Sequence, residues 1–454
     1  MAGLIITNGR IICPRTRRDA TGDVWIEEGR IVDIELQSSP TNSGGRNKSA
    51  SMATGKPRNQ FEEIDARGCI VSPGFVDLHT HLREPGGEEA ETIATGTAAA
   101  AAGGFSAVCC MPNTRPVNDN ISVMKMILER AQATGSVRVF PVAAVSIGSR
   151  GEQLTDFEAL KAAGAVCFSD DGKAVRTETL MKNALEVAKR VGSFVSDHCE
   201  AWNAAEDGVI HDGSVARELG IRGLPRSSED SMVERDIRAA EQTGAHVHIA
   251  HISTAGAVSL VRHAKQQGVA VTCEATPHHF SLTDEAVKKY GADAKMKPPL
   301  RAASDVEAVV EGLADGTIDA IATDHAPHLA SEKAQGFAAA PFGITGLEAA
   351  LALALQQLLQ PGHLDWFRLL ELLSSSPARI LGRPDLGRVD VGAWGDLTIL
   401  DPNQEWVFRA SDSFSKSRNT PFDGWKFRGR VRTTLVAGKV VFEAGAMRPG
   451  GADH

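Results

Sequence analysis

Two histidines separated by one residue, His79 and His81, stand in the segment Asp77-Leu78-His79-Thr80-His81-Leu82-Arg83-Glu84. The residues before them, 68–76, form an apolar run that reads as a buried strand ending in a loop. In an extended chain, residues two apart face the same side. Both imidazoles, and Arg83 two residues further on, therefore share one face at the carboxyl end of a strand. Paired imidazoles are a metal-ligand arrangement. A lone His-x-His is more often two ordinary titrating histidines, and the position of the other imidazoles decides between these readings.

Those imidazoles fall at strand ends. Between about residues 73 and 380, short apolar runs alternate with alanine-rich helical stretches such as 92–102, 122–134 and 178–191. Counting 70–76 first, the runs are 107–111, 137–142, 165–168, 193–196, 246–250, 269–273 and 318–322, eight in all. Eight strands alternating with helices over about 300 residues suggest a (β/α)8 barrel, whose chemistry sits where strands end. A doubly wound open sheet competes, weakened by the missing glycine-rich loop after the first strand. At the strand ends stand His79 and His81, Asp170 and Asp171, Asp197 and His198, His246, His248 and His251, and Asp324, His325 and His328. Four histidines and two carboxylates drawn from these make a nitrogen and oxygen set that suits zinc, and less specifically manganese, cobalt or iron. Six ligands are too many for one tetrahedral ion and about right for two. A pair of ions sharing a carboxylate activates water at neutral pH and polarises a carbonyl.

The elements outside this segment read differently. Residues 4–12 read as strand, Asn-Gly turn, strand, and 24–34 repeat the pattern around Glu28-Gly29. Residues 397–400 and 431–442 read as further strands and a hairpin. The two ends are expected to form one composite β domain, 1–72 plus 381–454, around a catalytic domain at 73–380. Residues 38–60 are rich in Ser, Gly, Asn and Lys and read as a mobile insertion, more linker than binding element.

Composition narrows the function. The chain has 454 residues, 42% hydrophobic and 23% charged, with a formal net charge of −9. That acidity argues against nucleic-acid and anionic-membrane surfaces. No apolar run approaches the length of a membrane span, and the first ten residues lack a signal-peptide pattern. The seven cysteines are odd in number, scattered and without a CxxC pair, which suits buried free thiols in a reducing cytoplasm.

The segments DLHTHLREPG at 77–86, MPNT at 111–114, FSDDG at 168–172, DHCE at 197–200 and HIAHIST at 248–254 carry a family resemblance. KMKPPLR at 295–301, ATDHAPH at 322–328 and the loop 331–348 complete it. Together they resemble the amidohydrolase superfamily and, within it, the class I bacterial dihydroorotases. The resemblance implies an α/β fold, a distorted (β/α)8 TIM-type barrel with a small β-sandwich domain from the two chain ends. It implies two zinc ions: His79 and His81 on the first, Asp171 between the two, His198 and His251 on the second. Asp324 is implied as a ligand of the first ion and as general base and acid. His81, Arg83, Asn113, Lys297, His328, Phe342 and Gly343 are implied as substrate contacts, with Arg83 and Asn113 on a carboxylate. The implied reaction is the reversible closure of N-carbamoyl-L-aspartate to L-dihydroorotate, a step of pyrimidine biosynthesis. A homo-oligomer and an aspartate transcarbamoylase partner are compatible with it.

Several rivals remain open at this level. Asp170 competes with Asp171 for the bridging role, and so does Lys173, since many relatives use a carbamylated lysine. His246 and His248 read as core or supporting residues, and His278 and His279 as pocket lining. Asn113 could merely stabilise a turn. The family pattern has Asn where this chain has Lys297, a positive point charge with no acceptor. Residues 329–343, low in bulk, read as a flexible lid against the alternative of a plain surface loop. A hydantoin, dihydropyrimidine or allantoin substrate is the alternative activity, and a catalytically silent scaffold is a third reading.

Overall fold

The computed structural model describes residues 3–37, 55–201 and 208–448. Residues 38–54 of the expected insertion lie outside them. Of its remainder, Arg58–Gln60 make one 3-10 turn leading into the strand Phe61–Asp65.

Both chain ends enter one nine-stranded sheet. Its order runs Ala446–Met447, Lys439–Glu443, Lys426–Val436, Leu397–Val407, Ile70–Pro73, Gly3–Cys13, Arg18–Glu27, Arg30–Leu36, with Phe61–Asp65 also pairing with Gly3–Cys13. The hairpins at Glu28-Gly29 and Ala437-Gly438 form where their turn residues predict them. The expected Asn8-Gly9 turn does not form. Gly3–Cys13 is one strand whose register against Arg18–Glu27 shifts between Ile6 and Gly9, with Asn8 at φ 60°. The Asn-Gly pair thus makes a bulge. A side chain at Gly9 would come within 2.4 Å of Val71 Cγ2, so the glycine permits the close approach of Ile70–Pro73.

The apolar run at 70–76 also divides. Ile70–Pro73 joins the end sheet, Gly74 N donates to Asp396 O, and Phe75–Thr80 begins a parallel sheet. That sheet continues through Phe105–Cys110 and Arg138–Pro141. A second parallel sheet contains Val195–Asp197, Val247–Ile249, Val271–Ala275 and Ala320–Ile321. The expected strand at 165–168 reduces to single parallel bridges from Phe168 to Ala143 and to Val195, which join the two sheets on one side. On the other side a parallel bridge joins Thr80 to His325.

The helices between these strands follow local rules. Ile93–Ala102 starts at Thr92, which exchanges side-chain and backbone hydrogen bonds with Thr95 as a capping box. Thr177 and Thr254 cap Glu178–Arg190 and Ala255–Gln266 without that reciprocal bond, each accepting from the backbone three residues on. Glu178–Arg190 buries Leu180, Met181, Ala184, Leu185 and Ala188, a single helical stripe. All seven cysteines are buried and free. Among the described residues, no helix is long and apolar enough to cross a membrane.

Candidate metal centre

Strand carboxyl ends bring the predicted ligands together. Asp171 Oδ1 lies 3.1 Å from His79 Nε2 and 3.9 Å from both His198 Nδ1 and His251 Nε2. Its other oxygen is 3.5 Å from His81 Nε2. Asp324 Oδ1 lies 3.0 Å from His81 Nε2 and 3.7 Å from His79 Nε2. His79, His81 and Asp171 therefore form one group able to hold a cation, and Asp171, His198 and His251 a second that shares the carboxylate.

The donor set fits divalent metal. His79 Nε2 and Asp171 Oδ1 are buried without a hydrogen bond despite their proximity, and an orphaned buried polar atom is costly. A cation accepting both lone pairs removes that cost. Burial, reinforced by the charge of His251, pushes His198 well below the ordinary histidine range, which suits a neutral imidazole ligand. Burial alone would raise Asp324, but the hydrogen bond with His81 and the neighbouring imidazoles outweigh it and hold the carboxyl below the usual range.

The backbone is strained at this site. Arg83, His251 and Asp324 all have positive φ, at 59°, 33° and 45°. Non-glycine residues enter that region at a cost, and such strain concentrates at functional sites.

Around the candidate ligands stands a layer that orients them. His79 Nδ1 meets Glu274 Oε1 at 2.9 Å, and Glu274 Oε2 meets His248 Nε2 at 3.1 Å. Burial would raise Glu274, yet these two histidine contacts keep it down at about 2. Asp77 accepts from His79 N, Thr323 N and Thr323 Oγ1, which ties the first strand to the segment carrying Asp324. Asn113 Oδ1 lies 3.0 Å from His81 Nδ1, and its amide donates to Asp171 Oδ2 at 3.1 Å. Asn113 is thus engaged with two candidate ligands. Neither Glu274 nor this use of Asn113 was read from the sequence. A single carboxylate inside the apolar strand Val-Thr-Cys-Glu-Ala, 271–275, was the available signal for Glu274.

The rivals separate clearly. Asp170 faces away and accepts from Ser146 N and Ser146 Oγ. Lys173 Nζ donates to Ser149 O, at 3.3 Å. His246 and His248 both bond Thr272 Oγ1, as supporting residues. His279 is occupied by Thr276 Oγ1 and Pro298 O. His278 is buried outside both ligand groups.

A cavity of about 300 Å³ opens beside the cluster, lined by His81, Arg83, Asn113, Asp171, Lys297 and Asp324 among others. His328, Phe342 and Gly343 complete its wall. Burial, then the Arg83 cation, pushes His328 down to about 3, so its ring is neutral at pH 7. Its Nε2 lies 2.7 Å from Phe342 O and must donate there. The same nitrogen cannot also accept from Arg83 Nη2, which lies 3.2 Å away. Arg83 is anchored by Nε to Pro327 O, and its terminal donors stay available to an anion.

The loop over this cavity is tethered. Lys295 Nζ donates to Ala338 O and Ala340 O, and Lys333 Nζ to Ala292 O and Pro341 O. Gly343 N donates to Lys295 O. At φ 114°, with Ala326 Cβ 2.4 Å from where a side chain would begin, position 343 admits only glycine without rearrangement.

Comparison with known proteins bears on this geometry. The family model described as dihydro-orotase-like matches residues 68–257. A dihydroorotase of Citrifermentans bemidjiense is 48% identical over 441 residues, covering 97% of this chain and all of that one. The chain belongs to the dihydroorotase family. The dihydroorotase of Solibacter usitatus is 46% identical over 436 residues, covering 96% of this chain and 97% of its own. Among solved structures, L-hydantoinase (dihydropyrimidinase) from Arthrobacter aurescens superposes with a TM-score of 0.86 at 24% identity, covering 99% of this chain and 98% of that one. D-hydantoinase from Thermus sp. gives 0.80 at 25% identity, covering 99% and 97%. The α/β fold of this dihydroorotase-family chain is therefore that of the hydantoinases.

Proposed function

We propose that the chain closes N-carbamoyl-L-aspartate to L-dihydroorotate with loss of water, and reverses the step, at the cluster centred on Asp171. The observation that carries this reading is the position of Asp171 Oδ1 between His79 on one side and His198 and His251 on the other, in a chain 48% identical to a dihydroorotase along its length. Two zinc ions are the expected occupants: His79, His81 and Asp324 would hold the first, His198 and His251 the second, and Asp171 would contribute to both. When bound, they supply Lewis-acid polarisation of the reacting carbonyl and an activated water.

The chain's own residues do the rest. In ring opening, water adds to the ring carbonyl carbon next to the leaving nitrogen, and the carbon–nitrogen bond breaks. Asp324 takes the proton from the attacking water and hands it to that nitrogen. In ring closure the ureido nitrogen attacks the side-chain carboxyl carbon and water leaves. Arg83 offers its planar fork to the carboxylate that remains outside the reaction. Phe342 and Gly343 close the cavity over the ring and exclude bulk water. Asn113 holds His81 and Asp171 in place and is also near enough to the cavity to meet substrate.

The parallel pairings that run from Phe75–Thr80 round to His325 support a distorted (β/α)8 barrel at 73–380, with its ligands at the strand ends. The interleaved end sheet supports a small composite β-sandwich unit from 1–72 and 381–454.

Arg83 tests the substrate assignment. Arg83→Lys loses the two-pronged contact, and KM for L-dihydroorotate is expected to rise about tenfold or more. An unchanged KM would mean that the carboxylate binds elsewhere. Hydantoin and dihydrouracil carry no carboxylate and give no reason for such a clamp.

A further inference from the structure

Lys297 stands in the cavity wall where a substrate contact was expected, yet its charge is already engaged. Its Nζ lies 2.6 Å from Glu200 Oε1, with the Glu200 side chain only 6% exposed. The other oxygen, Glu200 Oε2, is buried without a partner. So is His198 Nε2, and the two orphans lie 4.0 Å apart.

The opposite nitrogen of that ring, Nδ1, is turned toward Asp171 and His251. A neutral imidazole offering Nδ1 to a cation carries its proton on Nε2. That proton needs an acceptor, and Glu200 Oε2 faces it. Closing the gap by about 1 Å makes an ordinary hydrogen bond and satisfies two buried groups at once. The first two histidines already show this pattern: His79 leans on Glu274 and His81 on Asn113, each through the nitrogen turned away from the cluster.

We propose that Glu200 is the positioning residue for His198, and that Lys297 acts on the metal centre through Glu200 by holding that carboxylate in place. The ammonium is cancelled by Glu200, so it adds little net attraction for an anionic substrate. The Phe342 ring in the loop has its centroid 5.3 Å from Lys297 Nζ. This relay rests on the two-zinc reading above. Outer partners of metal-bound histidines are worth about 10–100-fold in metal affinity.

The test is zinc binding by the metal-free full-length chain, measured by competition with a chromophoric chelator, without substrate. Wild type is expected to take two zinc ions. Glu200→Gln and Lys297→Met are each expected to weaken one of the two by about 10–100-fold. The double variant should be no weaker than the worse single one, because both act through one contact. Lys297→Arg should restore most of the affinity, and circular dichroism melts report whether each variant is folded. Wild-type-like affinity for both ions in folded Glu200→Gln or Lys297→Met overturns the relay. So does a raised KM for L-dihydroorotate in Lys297→Met with both zinc affinities intact, which makes Lys297 a substrate contact. Failure of the wild type to bind zinc would instead overturn the metal reading itself.

Discussion

At the residue scale the site is a set of buried nitrogens and oxygens whose inward atoms converge, with His79 and His81 anchored through their outward nitrogens. Asp324 carries the sharpest consequence. It is buried, positioned by His81 at 3.0 Å, and held as a carboxylate by the imidazoles around it. Asp324→Asn keeps the size of the side chain but removes the proton carrier. Turnover of L-dihydroorotate is expected to fall by at least about 10³-fold. The melting temperature should stay within a few degrees, because the change leaves packing intact. Substantial activity in that variant would remove Asp324 from the mechanism. Strand parity pointed His79 and His81 to one face, while Arg83, past the end of Phe75–Thr80 at φ 59°, reaches the cavity through a turn and not through strand alternation. The strand-end rule reached Asp171, His198, His251 and Asp324. The partners that orient them were not legible in this way. Glu274 and Asn113 come from other strands and loops, and only the pairing of those strands sets them against His79 and His81.

At the element scale the β/α alternation was readable, while ownership of strands was not. The run at 70–76 is continuous in hydrophobicity, so nothing in it announces that Ile70–Pro73 pairs with Gly3–Cys13 and Leu397–Val407 while Phe75–Thr80 pairs with Phe105–Cys110. The Asn-Gly pair at 8–9 carries a hairpin signal, but both its flanks pair with the same neighbour, and tertiary context turns it into a bulge. The strand Val247–Ile249 and its start at His246 carry a pH consequence. Burial, then the neighbouring His248 and Lys265, lowers His246 to about 4. Between pH 6.5 and 4 the unfolded chain binds a proton there that the folded chain does not. Stability from His246 is therefore present above pH 6.5 and is lost as pH falls through the folded value, by at most about 3 kcal/mol. Thermal melts across this window should show a shallower acid limb in His246→Gln than in wild type. Parallel limbs would mean that His246 titrates normally in the folded state.

At the scale of the whole molecule, one buried ion pair ties the end sheet to the parallel sheet that starts the site. Arg138, on the strand Arg138–Pro141, reaches Asp396 with Nε at 2.9 Å and Nη2 at 3.2 Å, both side chains less than a tenth exposed. Asp396 also accepts from Ala437 N in the hairpin turn of the end sheet. Removing one partner leaves a buried charge alone, which costs about 3–5 kcal/mol. Arg138→Met should lower the melting temperature by several degrees in calorimetry, with little change in KM for material that remains folded. An unshifted melt would mean that the two sheets are held together by apolar packing without this pair.

The central claim is that a two-metal cluster around Asp171 acts on dihydroorotate. The most direct measurement is hydrolysis of L-dihydroorotate by the purified, zinc-supplemented chain, beside hydantoin and dihydrouracil, with metal content determined on the same sample. The account predicts turnover of L-dihydroorotate, none of the two uncharged rings, and about two zinc ions per chain. Turnover of hydantoin or dihydrouracil without turnover of L-dihydroorotate, at the same metal content, would contradict it.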